Sequence, residues 1–284
     1  MSYITKTLDN FDPRKIAESG QAFRIHPIDD SHVELVAFGR YLQIADLGKD
    51  EYAFSCGEAE FNDIWLPYFD LDTDYRKIIK SIDKQDTYLM DAAAYGKGIR
   101  ILRQDIFEMV ISYIISQRRS IPSITTCVDR LSERYGKKIK APKLSSPFVT
   151  PAKDVYYAFP TPNELKDATS EEISSIGAGY RTPYILYAVE DFVSGKLDPD
   201  ALSLLPDDEL YSVLTSMFGV GVKVANCIML FAFHRTGRFP VDVWVQRIQD
   251  KYYNGSFDYG RYPETAGIMQ QFMFYYERLE DSHK

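Results

Sequence analysis

Between Ala22 and Cys56, short apolar runs alternate with polar positions in FRIHPI, HVELVAF, RYLQIAD and EYAFSC. The runs are parted by turn-forming stretches at Asp29-Asp30-Ser31, Gly39 and Gly48-Lys49-Asp50. A period of two predicts strands, and strands joined by such short breaks predict an antiparallel meander. After the aromatic segment IWLPYFDLDTDY the period lengthens to that of a helix and stays there almost to the end. The change falls between residues 70 and 96. It predicts an α+β fold, with an N-terminal antiparallel β-sheet domain over residues 1–95 and a mostly helical core over 96–284 that has room for two helical subdomains.

Within the helical part, Asp105 to Ser116 is apolar nearly all round, which predicts a helix buried on most sides. Ile121, Ile124, Val128, Leu131 and Tyr135 follow at helical spacing, opened by Ser120 and Pro122 and stopped at Gly136. Residues 137–160 carry four prolines and few periodic apolar positions, so they read as a long connector. Helices then resume at the capping box Thr161-Pro162-Asn163-Glu164, at Thr182-Pro183, and at Pro206 with its acidic first turn.

The segment DDELYSVLTSMFGVGVKVANCIMLFAF, residues 207–233, holds two helical patterns around Phe218-Gly219-Val220-Gly221 and predicts a helix-hairpin-helix. Gly219 and Gly221 let the backbone turn tightly and approach another surface, leaving the amides of the second helix open to a phosphate. Many such turns use glycine only as a cap, and the turn alone does not decide between the two uses. Lys223 lies in the first turn of the second helix, where the dipole disfavours an ammonium and favours the neutral amine of Schiff-base chemistry. A solvated surface lysine is the commoner case. Cys227, four residues on, shares its face. Asp242, in Phe239-Pro240-Val241-Asp242, is placed to cap the next helix, and a carboxylate there would also steady a developing positive charge.

Composition narrows the classes. The 284 residues are 45% hydrophobic and 26% charged, the make-up of a globular protein. No run approaches a membrane helix and the N-terminus lacks a signal-like apolar stretch, so no membrane partner and a cytoplasmic location are expected, nucleoid-associated if the source is prokaryotic. Three separated cysteines, Cys56, Cys127 and Cys227, encode neither disulfides nor a metal or iron–sulfur site, and no cofactor is expected. A formal charge of −8 argues against a broad cationic surface for nucleic acid, though backbone amides and a local basic patch can still hold phosphate.

Taken together, GVGVK, the loop PVD and the interval from Lys223 to Asp242 resemble the helix-hairpin-helix Gly/Pro/Asp glycosylases, and more narrowly the 8-oxoguanine DNA glycosylase/lyases. The likeness extends through SGQAFRI (19–25), LRQDIFEMVISYIIS (102–116), IGAGYR (176–181) and AGIMQQFMF (266–274). It implies Lys223 as Schiff-base nucleophile, Asp242 as its electrostatic partner, and Cys227 and Phe274 on either side of a flipped base. It further implies Gln270 on the base's Watson–Crick edge and the Gly20 carbonyl on its N7 hydrogen. That hydrogen is present in the oxidised base and absent from guanine, so a fixed acceptor there separates the two.

Tyr180 and Arg181 match residues that wedge the opened duplex and contact the widowed cytosine, and Gly219, Gly221 and Trp244 fall in the DNA-facing segments. The chain departs from the family where an asparagine run is replaced by Arg118-Arg119-Ser120, a second arginine by Ser123, and a histidine by Trp244. Arg118 remains able to reach cytosine or phosphate, and a weakened preference for cytosine opposite the lesion is expected. The resemblance thus implies a monomeric, bifunctional glycosylase/AP lyase acting on double-stranded DNA that contains an oxidised guanine. Two alternatives stay open: an alkylated-base or adenine glycosylase on the same scaffold, and a non-enzymatic helix-hairpin-helix DNA-binding module.

Overall fold

The structure, a computed structural model, describes residues 3–282, with side chains as far as Arg278. Five strands form one antiparallel sheet: β1 (Ile4–Thr7), β2 (Ile25–Pro27), β3 (His32–Ala37), β4 (Arg40–Gly48) and β5 (Glu51–Phe54), in the order β1-β5-β4-β3-β2. Four of them are the alternating runs. The fifth, β1, escaped the pattern because ITKT has no signal of its own; its pairing with β5, Ile4 opposite Phe54, makes it a strand.

Val33, Leu35, Leu42, Ile44 and Phe54 fill one side of the sheet with Ile16 of helix α1 (Pro13–Glu18), Phe61, Trp65 and Phe69. Burying each such side chain contributes about 1.5–3 kcal/mol. The 137–160 connector closes the other side. It contains two paired strands, β6 (Lys138–Lys140) and β7 (Val155–Tyr157), and Tyr156 packs on Val36 and Tyr41. Buried Glu34 holds it there by accepting from the Tyr156 hydroxyl at 2.7 Å, the Tyr41 hydroxyl at 2.9 Å and the Ala152 amide at 3.2 Å. A carboxylate met by three donors is satisfied in a place where a bare one would be costly.

The helices build a second core. Those that carry the argument are α2 (Thr87–Tyr95), α3 (Ile106–Ile115), α4 (Ile121–Tyr135), α5 (Thr182–Val193), α6 (Asp207–Ser216), α7 (Val222–Phe231), α8 (Val243–Tyr252) and α9 (Ala266–Ser282). At the centre lies α3, buried at every position after Ile106, with α5 and α7 against it. The capping box at Thr161 has both reciprocal bonds, and a second one stands at Thr169. Gly136, the stop after α4, has an ordinary φ of −79°; a Cβ there would lie 1.8 Å from the Ala158 carbonyl oxygen, so the close pass of the returning connector is what requires glycine.

Phe69 and Leu71 pack with the sheet's core, whereas Tyr75, Ile82 and Leu89 pack with the helices and α2 lies against α9. Leu102, beyond the expected chain border at residue 95, packs with the sheet's core again, and Phe23, well before it, packs with the helices. Among the described residues no helix is long and apolar enough to cross a membrane, and no group of His, Cys, Asp and Glu is arranged to hold a metal ion.

Candidate active site

The hairpin between α6 and α7 is set by Gly219, whose φ of +84° favours glycine. A side chain there would also strike the Tyr184 ring, 2.2 Å from the Cβ position. The Gly219 carbonyl accepts from Gln117 Nε2 at 3.0 Å, tying the turn to the loop after α3. Helix α7 then opens at Gly221 with no side-chain cap, and Gly221 and Val222 are exposed. First-turn amides in that state can receive a phosphate oxygen.

In the first turn of α7, Lys223 is half-buried with its Nζ 5.9 Å from the centre of the Tyr113 ring. Tyr113 is itself buried and stacked on Phe231 at 5.4 Å, so α3 supplies a rigid floor beneath the amine. The Cys227 thiol lies one turn further along α7. Burial pushes that thiol up from its ordinary value and the charge of Asp242 adds to the effect, while Lys223 pulls the other way. Burial is the largest cause, so Cys227 stays protonated at neutral pH. It therefore gives Lys223 no thiolate to pair with. Asp242 caps α8 as expected: its Oδ1 accepts from the Trp244 amide at 3.0 Å and the Val245 amide at 2.9 Å.

A second side of the site comes from the N-terminal segment and α9. Gly20, at φ +77°, lies against Phe274: a Cβ on it would be 3.3 Å from the Phe274 ring. The adjoining Gln21 is fully buried and holds this segment in place, donating to Ser19 Oγ and the Arg100 carbonyl at 2.9 Å each and accepting from the Leu102 amide at 2.9 Å. Arg278 donates to the Glu18 carbonyl at 3.1 Å, lies 5.2 Å from the centre of the Phe274 ring and feels the charge of Asp242. Gln270 is buried one turn before Phe274 on α9, and its Oε1 accepts from Gln271 Nε2 at 3.1 Å. The charge of Asp242 acts on both Cys227 and Arg278, which places the hairpin side and the side formed by Arg278, Phe274 and Gly20 in one electrostatic neighbourhood.

The remaining candidates are arranged around this group. Tyr180 is 53% exposed and packs edge-on against Tyr184. Arg181, by contrast, is buried, stacked 4.2 Å from the centre of the Tyr180 ring, and donates to the carbonyls of Gln117 and Ala178. Its guanidinium is committed to the protein in this conformation. Arg118 is exposed at a φ of +52°, whereas the next residue, Arg119, donates to the Gly177 carbonyl. Trp244 is half-buried, with Arg247 5.3 Å from its ring centre. Sequence reasoning missed Tyr113, Arg278 and Gln117. The first was read only as part of a core helix, and none carries a local motif.

The N-terminal-domain profile of 8-oxoguanine DNA glycosylase matches residues 3–110. The 8-oxoguanine glycosylase/lyase of Clostridium acetobutylicum, solved with double-stranded DNA containing cytosine opposite 8-oxoG, is 32% identical, with a TM-score of 0.88 over 99% of both chains. The chain belongs to the 8-oxoguanine DNA glycosylase/lyase family. The N-glycosylase/DNA lyase of Saccharomyces cerevisiae is 31% identical over 66% of this chain, which spans 50% of that longer relative. The Archaeoglobus fulgidus 3-methyladenine DNA glycosylase, at 17% identity and a TM-score of 0.75, shares the fold alone with this 8-oxoguanine glycosylase/lyase family member.

Proposed function

We propose that this protein is a bifunctional DNA glycosylase/AP lyase that excises 8-oxoguanine from duplex DNA and attacks the sugar with Lys223. The observation that carries the reading is a half-buried amine in the first turn after the hairpin, over the buried Tyr113 ring and one turn from a thiol that stays protonated. The extruded base would lie between Cys227 and Phe274, with the Gly20 carbonyl at N7 and Gln270 at the Watson–Crick edge. Unstacking the nucleotide costs a few kcal/mol, which contacts in the pocket offset.

In the chemical step the Lys223 lone pair forms a bond to the anomeric carbon. The glycosidic bond breaks with its electron pair going to the base, which takes up a proton. Ring opening leaves a protonated imine, whose charge Asp242 stabilises. The imine acidifies the neighbouring C2′ proton; its removal lets the C3′–O bond break and releases the 3′ phosphate. Tyr180, Arg118, Trp244 and the hairpin backbone at Gly219 and Gly221, with the first-turn amides of α7, would hold the opened duplex. Arg181 would have to leave its carbonyl partners to touch the opposite base. Contact through backbone amides suits an acidic chain. We place the protein in the cytoplasm, acting as a monomer.

The alkylated-base reading rests on a likeness of fold alone, and no observation favours a purely structural module. Borohydride tests the proposal directly. With an 8-oxoguanine duplex it should trap a covalent protein–DNA adduct, and Lys223→Ala should lower adduct and nicking by on the order of 10³-fold or more. An adduct that persists in Lys223→Ala overturns the assignment.

A further inference from the structure

Beside Gln270 lies a second amide that the proposed reading leaves without a part. Gln271 is 4% exposed, its Nε2 donates to Gln270 Oε1 at 3.1 Å, and among the described residues no donor reaches its own buried Oε1. A buried acceptor left unmade costs free energy, and a native chain keeps one where something else supplies the donor. Nε2 and Oε1 share one amide carbon, so the unmatched oxygen sits next to Gln270, the residue that the function proposed above assigns to the base's edge.

We propose that Gln271 is a specificity-determining residue that accepts a hydrogen bond from the 2-amino group of the flipped base; the inference rests on the function proposed above. With its oxygen engaged by Gln271, the Gln270 amide is held in one of its two orientations. Its Nε2 then serves as donor to the base's O6, and the second lone pair of its Oε1 as acceptor for the N1 hydrogen. Gln271 Oε1 adds the third position. The protein's order of donor, acceptor, acceptor complements the acceptor, donor, donor edge of a guanine-type base. Adenine's edge, a donor followed by an acceptor, opposes it.

The test compares two duplexes under single-turnover conditions, one with 8-oxoguanine and one with 8-oxohypoxanthine, which lacks only the 2-amino group. Wild-type protein should release 8-oxoguanine faster. In Gln271→Met, close in volume but unable to hydrogen-bond, release of 8-oxoguanine should fall about tenfold. Release of 8-oxohypoxanthine should fall less, by what is lost when Gln270 is no longer held, bringing the ratio toward one. Gln271→Glu keeps the acceptor and should retain much of the ratio. Nicking of an abasic duplex, which offers no base to read, reports whether each variant is folded.

An equal fall on both bases in folded Gln271→Met would mean that the residue only packs, and would overturn the inference, as would an unchanged ratio. Wild-type protein that nicks abasic DNA yet releases neither base overturns the functional reading itself and takes this inference with it.

Discussion

In Asp242 a single oxygen takes both amide hydrogens of the first turn of α8, and the same carboxylate is felt by Cys227 and Arg278. Asparagine caps a helix about as well as aspartate but carries no charge, so the two contributions can be separated. Asp242→Asn should leave thermal stability nearly unchanged while slowing base release. Asp242→Ala should slow it similarly and also destabilise the fold by about 1 kcal/mol. Equal rates for wild type and Asp242→Asn would remove the charge from the proposed mechanism. Asp242, Lys223 and Gly219 were legible because their reasons are local: a cap, a first helical turn, a tight bend. Tyr113, Arg278 and Gln271 were not, because each gains its place from a crossing of helices distant in the chain. A run such as VISYIIS says only that it is buried.

The hairpin depends on the fit between Gly219 and Tyr184. Gly219→Ala would force an L-residue to φ +84° and drive a methyl group into the ring. It should cost about 2 kcal/mol of stability and weaken duplex binding, since the α7 amides would no longer be aimed as a set. Adding Tyr184→Ala removes the collision but not the backbone strain, so melting should recover only in part; complete recovery would put the whole effect on the ring. Among larger elements, most helices and four of the five sheet strands could be read from period and punctuation. The strand β1 and the pair β6–β7 could not, since short polar segments become strands only when a partner edge presents itself.

Across the molecule, α3 meets the segment leading into β2 through the Tyr113 ring, against Phe23, and through a buried charged pair. Arg24 Nη1 lies 3.7 Å from Glu108 Oε2, and Arg24 donates to the Tyr157 carbonyl. Burial raises the Glu108 carboxyl to about 7, against the smaller opposing pull of Arg24. A carboxyl raised on folding favours the folded state most when protonated in both states. Its contribution is therefore full below its unfolded value near 4.5 and is lost as pH rises toward 7. Glu108→Gln imitates the protonated form at every pH. Relative to wild type it should gain stability by about 3 kcal/mol between pH 4.5 and 8. Urea unfolding at the two ends of that range checks the sign, and a constant difference would refute it.

The returning connector has a mechanical meaning. The polypeptide runs from sheet to helices after Leu71, touches the sheet's core again at Leu102, returns to the sheet after α4 and leaves once more beyond β7. Two plates stitched at several places do not swing like a door on one pin. A cut anywhere in residues 141–154 would fall on the sheet's side, between β6 and β7, and leave the crossings to the helices whole. Cys227 and Gln270 are buried here, so admitting a base between Cys227 and Phe274 asks for side chains to shift locally rather than for the plates to swing apart.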